Sequence, residues 1–245
     1  MKNSQGRAEA PENERDEPEE KAARERLASC CLIANNAPVP TRRSLLAILA
    51  APLIAPFLRA AQVAWAQART VLPKGTPRES LISKDPAHYD PRNLDITPIE
   101  QFGTMGTTDR EVNMTSWRLD VGGKLKHPLS LSYSQLTALP AIERDVLLIC
   151  PGFFANYGRW KGISIRTLLT QAEFETNAAW VSIESAGSKA ARFALADVLS
   201  NKVFLAYGVN GKPLPKANGF PLRVVADGVF GSDWVKYVDR ITVEM

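Results

Sequence analysis

Cys150 is the side chain that most directly suggests chemistry in this sequence. It ends the apolar run VLLIC, which is typical of a buried strand, and the pair Pro151-Gly152 directly after it is typical of a turn. A thiol where a buried strand enters a loop could ligate a soft metal as a thiolate, or attack a substrate as a nucleophile. It could equally be an inert buried thiol, which is what most free cysteines are.

The chain offers few partners for that thiol. It contains 3 cysteines and 2 histidines, His88 and His127, and neither histidine is spaced to pair with Cys150. Because a cysteine hydrolase needs a histidine base, that class is disfavoured. The same counts argue against a Cys- and His-rich zinc site and against a scaffold stapled by disulfides.

The composition indicates a globular protein with a sizeable core. Hydrophobic residues make up 45% and charged residues 23% of the 245 residues. The formal net charge of +4 is too small and too evenly spread to indicate nucleic-acid binding. The sequence contains no glycine-rich phosphate loop and no regular alternation of strands with helices, so a doubly wound nucleotide-binding fold is not expected.

An export signal is expected before the globular part. Residues 1–40 include an acidic stretch, after which Arg42 and Arg43 precede the uncharged run 44–58 and a small-x-small site that ends at Ala68. This order resembles a twin-arginine signal. A membrane anchor is the alternative, but the run is shorter than the ~20 residues that a span needs and contains two prolines.

These patterns divide the chain into three parts. An acidic leader plus a twin-arginine-type signal peptide is expected at 1–68, an irregular N-terminal arm at 69–93 and a domain at 94–245. Strands are expected at 117–121, 145–150, 179–185, 203–211, 221–226 and 235–244. Short helices are expected at 131–140, 164–172 and 194–200. Because strands outnumber helices, the expected fold class is α+β and rich in β-structure.

Four segments follow one another along the domain, namely LLICPGFF, GRWKGISIRTLL, LAYGVNGKPLP and NGFPLRVVADGVFGSDWVKYVDRI. Together they resemble the molybdopterin-binding domain of the sulfite oxidase family. The resemblance covers roughly residues 94–245 and is closest to the small bacterial exported members, of the periplasmic methionine-sulfoxide-reductase catalytic subunit type. It implies a mixed, β-rich sulfite-oxidase-type molybdopterin-binding fold with short helices, and Mo-molybdopterin as the cofactor.

The resemblance also implies site residues. Cys150 would be the catalytic residue and would supply the one protein thiolate to molybdenum. The residues expected to bind the cofactor are Gly103, Thr104, Cys150, Ser185, Asn218, Arg223, Trp234, Val235 and Lys236. Arg223 suits a phosphate because its guanidinium is a fixed fork of donors, and Lys236 suits it as a point charge. Taken singly, Arg223 could instead be an edge-strand residue and Lys236 a solvated surface charge.

Two segments depart from the eukaryotic sulfite oxidases. This chain has Met105-Gly106-Thr107 where those enzymes carry Arg-Asn-His. It lacks the arginines that follow the cysteine there and has Pro151-Gly152-Phe153-Phe154 instead. Without a cationic pocket, the binding of sulfite is poorly supported. The phenylalanine pair predicts an apolar pocket mouth, and the substrate stays open.

The expected function is therefore that of an exported molybdopterin-dependent oxidoreductase. It would carry out a two-electron oxygen-atom transfer on a small-molecule substrate, as sulfoxide reduction or sulfite-type oxidation. The expected partners are the twin-arginine export machinery and an electron carrier, either a c-type cytochrome or a membrane haem protein. The chain is expected to be a periplasmic monomer that binds no nucleic acid. The alternative is a cofactor-less binding or scaffold protein on the same fold.

Overall fold

The computed structural model describes residues 69–185 and 190–245. The chain divides into two units, and the second, Trp65–Met245, contains all the described residues. The leader and signal peptide expected at 1–68 lie outside the described residues. In the part of the chain that is described, no helix is long and apolar enough to cross a membrane.

Most of the described elements are strands. The strands are β1 (Thr70–Val71), β2 (Tyr89–Asp90), β3 (Leu119–Gly123), β4 (Leu129–Leu131), β5 (Ala141–Cys150), β6 (Phe154–Ile163), β7 (Trp180–Glu184), β8 (Ala190–Ala194), β9 (Val203–Val209), β10 (Lys212–Pro213), β11 (Arg223–Ala226) and β12 (Arg240–Glu244). The α-helices are α1 (Tyr133–Thr137), α2 (Ile165–Ala172) and α3 (Leu195–Leu199). Short 3-10 turns lie at Arg78–Leu81, Pro86–His88, Ile99–Gln101, Lys216–Asn218 and Gly231–Asp233. The expectation of a β-rich α+β class with short helices is confirmed.

β5 and β6 form the hairpin that carries Cys150. All ten residues of each strand pair, and the last pair joins Cys150 to Phe154. The short connection begins at Pro151, and Gly152 adopts a φ of 78°, a conformation that favours glycine. The predicted strand end and turn are confirmed, and the thiol lies at the last rung of the ladder.

Two five-stranded sheets contribute to one hydrophobic core. The first has the order β10-β9-β6-β5, with β11 also paired to β9. The second has the order β4-β3-β12-β7-β8, with β12 parallel to β3. Helix α2 buries Ile165, Leu168, Leu169 and Ala172 in this core. Their helical spacing predicted the helix, and that prediction is confirmed.

The apolar residues 146–149 before Cys150 are buried on both faces of β5. The even-numbered residues belong to the main core, and the odd-numbered residues belong to a second cluster with Leu72 and Leu81 of the N-terminal arm. Successive side chains of a strand point to opposite faces. The arm therefore explains why this segment is apolar throughout and does not alternate.

The structure differs from the expected strands in two ways. The strand expected at 235–244 is present only at Arg240–Glu244, because Tyr237 has a φ of 57° and interrupts the extended backbone. Six strands had no counterpart among the expected strands, namely β1, β2, β4, β6, β8 and β10. In β6, Asn156 and Gly158 interrupt any simple apolar alternation, so the sequence pattern does not indicate a strand.

Candidate functional site

A cleft of about 660 Å³ lies next to Cys150. Eight of the nine residues expected to bind a cofactor line it, namely Gly103, Thr104, Cys150, Asn218, Arg223, Trp234, Val235 and Lys236. They come from segments that are far apart in the sequence. The fold therefore brings these expected residues together around one space.

The thiol of Cys150 is partly buried at the end of β5. Burial raises the pKa of this thiol, so the group is protonated at neutral pH when nothing is bound to it. Its Sγ lies 3.8 Å from Sδ of Met105. Just beyond Cys150, the N–H of Gly152 donates to the carbonyl of Ile82 at 2.9 Å and fastens the turn to the arm. The thiol therefore has a fixed position, and a metal that binds it would displace its proton.

Arg223 is a buried cation without an acidic partner among the described residues. Only 4% of the residue is exposed. Its Nη1 donates to the carbonyl of Asn218 at 3.0 Å and its Nε to the carbonyl of Val224 at 3.4 Å. Loss of hydration lowers the pKa of the guanidinium to about 10. An arginine held in this way is preorganised to bind an anion.

Two tryptophans form the wall against Arg223. Its Cζ lies 5.0 Å from the ring centroid of Trp160 and 5.4 Å from that of Trp234. The two rings meet edge to face with their centroids 5.5 Å apart, and Nε1 of Trp234 donates to the carbonyl of Val229 at 3.1 Å. Cation–π contacts ease the burial of a charge but supply no counter-ion. Trp160 is fully buried and also contacts this cation.

Lys236 is the second cation of the cleft and follows the buried Val235. An isolated backbone bridge joins it to Arg223. Its Nζ donates to the carbonyls of Thr107 at 3.0 Å and Ala217 at 2.8 Å. Burial and, to a lesser extent, the charge of Arg223 lower the pKa of Lys236 to about 8. A bound anion would offset both effects.

Ser185 is the one expected cofactor residue that does not line the cleft. It is 3% exposed, and its Oγ accepts a hydrogen bond from Nη1 of Arg110 at 2.6 Å. Arg110 does line the cleft, and its Cζ lies 5.8 Å from the ring centroid of Tyr237. Sequence reasoning missed Arg110 and Tyr237, because both lie in irregular backbone where no periodicity singles them out. Ser185 is therefore connected to the cleft by its hydrogen bond to Arg110, which lines it.

Gly103 is held tightly where the chain enters the cleft. Its N–H donates to Oδ1 of Asn156 at 3.1 Å, and Nδ2 of Asn156 donates to its carbonyl at 2.9 Å. A Cβ at this position would lie 2.3 Å from Cγ of Phe154, so only glycine fits. Thr104 follows directly and lines the cleft. The buried Asn156 thus sets where residues 104–107 begin to cross it.

The lining of the cleft is cationic. Arg110, Arg223 and Lys236 lie in it with Cys150, and its lining includes neither an Asp nor a Glu. Neither histidine of the chain lines it, so the thiol has no histidine base there. The described residues contain no group of three or more His, Cys, Asp or Glu side chains that could hold a metal ion. The arrangement suits an anionic ligand that brings further metal donors with it.

Comparison with known protein families agrees with this chemistry. Residues 105–245 match the family described as the oxidoreductase molybdopterin binding domain. The chain belongs to this family. It is a molybdenum-dependent oxidoreductase, and its cofactor is Mo-molybdopterin. The family and the cofactor expected from the sequence are confirmed.

Curated relatives of this molybdopterin-binding chain carry several names. The chain is 29% identical over 136 residues to the uncharacterized oxidoreductase YuiH of Bacillus subtilis, covering 55% of this chain and 69% of the relative. It is 27% identical over 172 residues to the protein-methionine-sulfoxide reductase catalytic subunit MsrP of Gluconobacter oxydans, covering 60% of this chain and 55% of the relative. It is 31% identical over 153 residues to mitochondrial sulfite oxidase of Rattus norvegicus, covering 51% of this chain and 28% of the relative. The chain thus spans about half or less of the last two relatives.

A solved structure shares the fold. The sulfane dehydrogenase SoxCD of Paracoccus pantotrophus matches with a TM-score of 0.53 and 23% identity, over 60% of this chain and 46% of that one. At this identity the likeness concerns the fold alone. It confirms the sulfite-oxidase-like α+β fold class.

Proposed function

We propose that this chain is an exported molybdopterin-dependent oxidoreductase that transfers an oxygen atom, with Cys150 as the protein ligand of molybdenum. The observation that carries the proposal is the presence of the Cys150 thiol and the buried Arg223 guanidinium in one cleft without an acidic lining residue. When bound, the cofactor supplies the two-electron redox chemistry. The residues of the chain bind it, orient it and shape the approach of the substrate.

The cations of the cleft would hold the phosphate of the cofactor. Arg223 offers a fixed fork of donors, because two carbonyls and two indole rings already set its orientation. Lys236 adds a point charge beside it. Both groups lose hydration on burial, so a phosphate would provide the counter-charge that the described residues do not.

Cys150 would complete the coordination of the metal. Burial favours its protonated form, so the proton on Sγ leaves when the thiolate binds. The β5–β6 ladder and the bond from Gly152 to Ile82 fix the Cα of Cys150 before the cofactor arrives. A preset position lowers the cost of ordering the site.

Sulfoxide reduction is the favoured reaction over sulfite-type oxidation. A sulfoxide would take up two electrons and two protons and leave as a sulfide and water. Met105, whose Sδ lies 3.8 Å from the thiol, and Phe154 line the cleft with Cys150, whereas the exposed Phe153 does not, so this part of the lining is apolar and suits an uncharged substrate. One curated relative is named as a protein-methionine-sulfoxide reductase catalytic subunit, which agrees with this direction.

The electrons would come from a separate protein, either a c-type cytochrome or a membrane haem protein. The name of the Gluconobacter relative, a catalytic subunit, supports a division of the work between subunits. Arg42, Arg43 and the uncharged run after them support twin-arginine export to the periplasm. We propose 1–68 as the leader and signal peptide, 69–93 as the arm and 94–245 as the catalytic domain, acting as a monomer.

Metal analysis tests the proposal. The full chain is purified from a host supplied with molybdate, and we expect about one molybdenum per chain. Cys150→Ser should fold, as judged by circular dichroism, but should lose dye-driven reduction of dimethyl sulfoxide by at least about a hundredfold. Cys31→Ser removes a thiol of the leader and should have no effect. A wild-type protein without molybdenum, or full activity in Cys150→Ser, would contradict the proposal.

A further inference from the structure

The N-terminal arm covers the face of β5 that points away from the main core. Leu72 is 5% exposed and Leu81 is 1% exposed, and both pack in one cluster with Leu147 and Ile149 of β5. The arm precedes residues 105–245, which match the family. That match assigns the arm no role, so any role must follow from the contacts that the arm makes in this chain.

One contact of the arm is with the turn that follows Cys150. The N–H of Gly152 donates to the carbonyl of Ile82 at 2.9 Å. Ile82 directly follows the buried Leu81, so the accepting carbonyl belongs to an anchored part of the arm. A displacement of the arm would therefore reach the turn beside the expected metal ligand.

The other contact is with the loop that leads from Arg223 to Lys236. Nη1 of Arg69 donates to Oδ1 of Asp227 at 2.8 Å. The two side chains are only 24% and 22% exposed, so water and salt screen this ion pair less than a pair on the open surface. Nη2 of Arg144 lies 3.9 Å from the other carboxylate oxygen, so Arg69 makes the closer contact with Asp227.

The loop beyond Asp227 contacts both the arm and β5. A Cβ on Gly228 would lie 2.6 Å from Nη2 of Arg69, so the guanidinium lies directly against the loop backbone. Phe230 packs against the cluster that the arm forms with β5. A Cβ on Gly231 would lie 2.7 Å from Cδ1 of Leu148, and Gly231 lines the cleft. The position of the loop therefore sets one part of the cleft wall.

The arm thus fixes two parts of the cleft at once. Its carbonyl at Ile82 holds the turn after Cys150, and its Arg69 holds the loop that continues into the expected cofactor-binding residues 234–236. A group that contacts both parts binds more tightly when their relative position is set beforehand, because less of the site remains to be ordered.

We propose that Arg69 is a positioning residue for the cofactor, which acts through Asp227 on the loop at 227–233. Arg69 does not line the cleft, so its effect on a bound group is transmitted by the loop. This inference rests on the proposed function, because the loop leads to residues that would bind the cofactor. The order of the loop, however, can be measured in the cofactor-free chain.

The first test is hydrogen exchange of the cofactor-free full chain, followed by peptide mass spectrometry. The N–H of Asp233 donates to the carbonyl of Phe230 at 3.0 Å, and that of Trp234 donates to the carbonyl of Gly231 at 3.2 Å, so these two amides report the order of the loop. Arg69→Met should speed their exchange by about threefold or more, while helix α2 should exchange as in the wild-type chain.

Two further variants serve as controls. Arg69→Lys keeps a positive charge near Asp227 and should restore most of the protection. Lys74 is exposed on the same arm and does not line the cleft, so Lys74→Met removes one positive charge while the ion pair stays in place, and exchange should not change. Wild-type exchange of the loop in Arg69→Met, or an equal rise in α2, would overturn the inference.

The second test follows the loss of molybdenum from the loaded full chain during dialysis. Arg69→Met should lose it about fivefold faster than the wild-type chain. Asp227→Asn should speed the loss much less in an Arg69→Met background than in the wild-type chain, because the ion pair is already absent. Wild-type retention in Arg69→Met, or additive effects of the two changes, would contradict the proposed role. If the wild-type chain holds no molybdenum, the proposed function fails, whereas the exchange of the loop still decides the role of Arg69.

Discussion

The guanidinium carbon of Arg223 lies 5.0 Å from the centre of the Trp160 ring, and Trp160 is fully buried. Such a contact lowers the cost of burying a cation without providing an opposite charge. Carbonyl groups accept its hydrogen bonds, and the pKa of Arg223 falls to about 10 because the charge has lost its hydration. The cofactor-free chain thus holds a charge whose burial costs stability.

Replacement of that charge should separate stability from cofactor binding. Arg223→Met keeps most of the side-chain length and removes the buried charge. The free energy of unfolding of the cofactor-free protein should therefore stay equal or rise by about 1 kcal/mol, with an equal or higher denaturant midpoint. The same variant should lose at least about 90% of its molybdenum, since two or three charge-assisted hydrogen bonds disappear. Denaturant titration and metal analysis measure the two effects.

Arg240→Met serves as the control, because Arg240 is exposed at the start of β12 and does not line the cleft. It should keep the wild-type molybdenum content. Full molybdenum in Arg223→Met would show that this arginine does not hold the cofactor.

The hydrogen bond from Arg110 to Ser185 predicts coupled effects. Ser185→Ala should reduce the retained molybdenum, because Arg110 loses an oriented partner worth about 1.5–3 kcal/mol. In an Arg110→Ala background, Ser185→Ala should add little, and Ser185→Thr should retain the wild-type level. A double-mutant cycle on cofactor dissociation measures the coupling. Additive effects would mean that Ser185 does not act through Arg110.

The pair of hydrogen bonds between Asn156 and Gly103 predicts both a stability loss and a change at Cys150. Asn156→Ala leaves two backbone groups of Gly103 without partners and should lower the free energy of unfolding by about 1–3 kcal/mol. It should also free Met105, so iodoacetamide should modify Cys150 faster. Asn177→Ala, at an exposed asparagine, should do neither. A wild-type alkylation rate in Asn156→Ala would argue against this anchor.

The lowered pKa of Lys236 predicts that anion binding depends on pH. Its pKa of about 8 means that the group is charged at pH 6.5 and largely neutral at pH 9.5, so affinity for an anion falls as the pH rises through about 8. Sulfate keeps its charge over this range and is a suitable probe. Arg223, with a pKa near 10, and Cys150 and Tyr237, whose pKa values burial raises, titrate at higher pH.

Sulfate should therefore bind the cofactor-free protein about tenfold more weakly at pH 9.5 than at pH 6.5, measured by calorimetry. Lys236→Met should bind weakly at both pH values, so its profile should be flat. A flat profile in the wild-type chain would remove Lys236 from the anion site.

The resemblance to the family predicted the residues of the cleft on both regular and irregular backbone, since Cys150 ends β5 and Arg223 begins β11, whereas Lys236 lies outside the strands and helices. The apolar run of β5 and the turn after it predicted the position of Cys150, whereas Arg223 and Lys236 were expected at the site only because of the resemblance, and both line the cleft. The link from Arg110 to Ser185 spans 75 positions and joins irregular backbone to a strand end, so no local pattern indicates it. No local pattern indicates the hydrogen bonds between Asn156 and Gly103 either, because Asn156 lies in a strand without apolar alternation.

The central claim is that the thiolate of Cys150 ligates molybdenum in this cleft, and X-ray absorption at the molybdenum edge tests it most directly. The wild-type chain should show one metal-bound sulfur more than the cofactor itself supplies. Cys150→Ser, loaded in the same host, should show one sulfur fewer, with an oxygen or nitrogen in its place. An identical sulfur count in the two proteins would contradict the account.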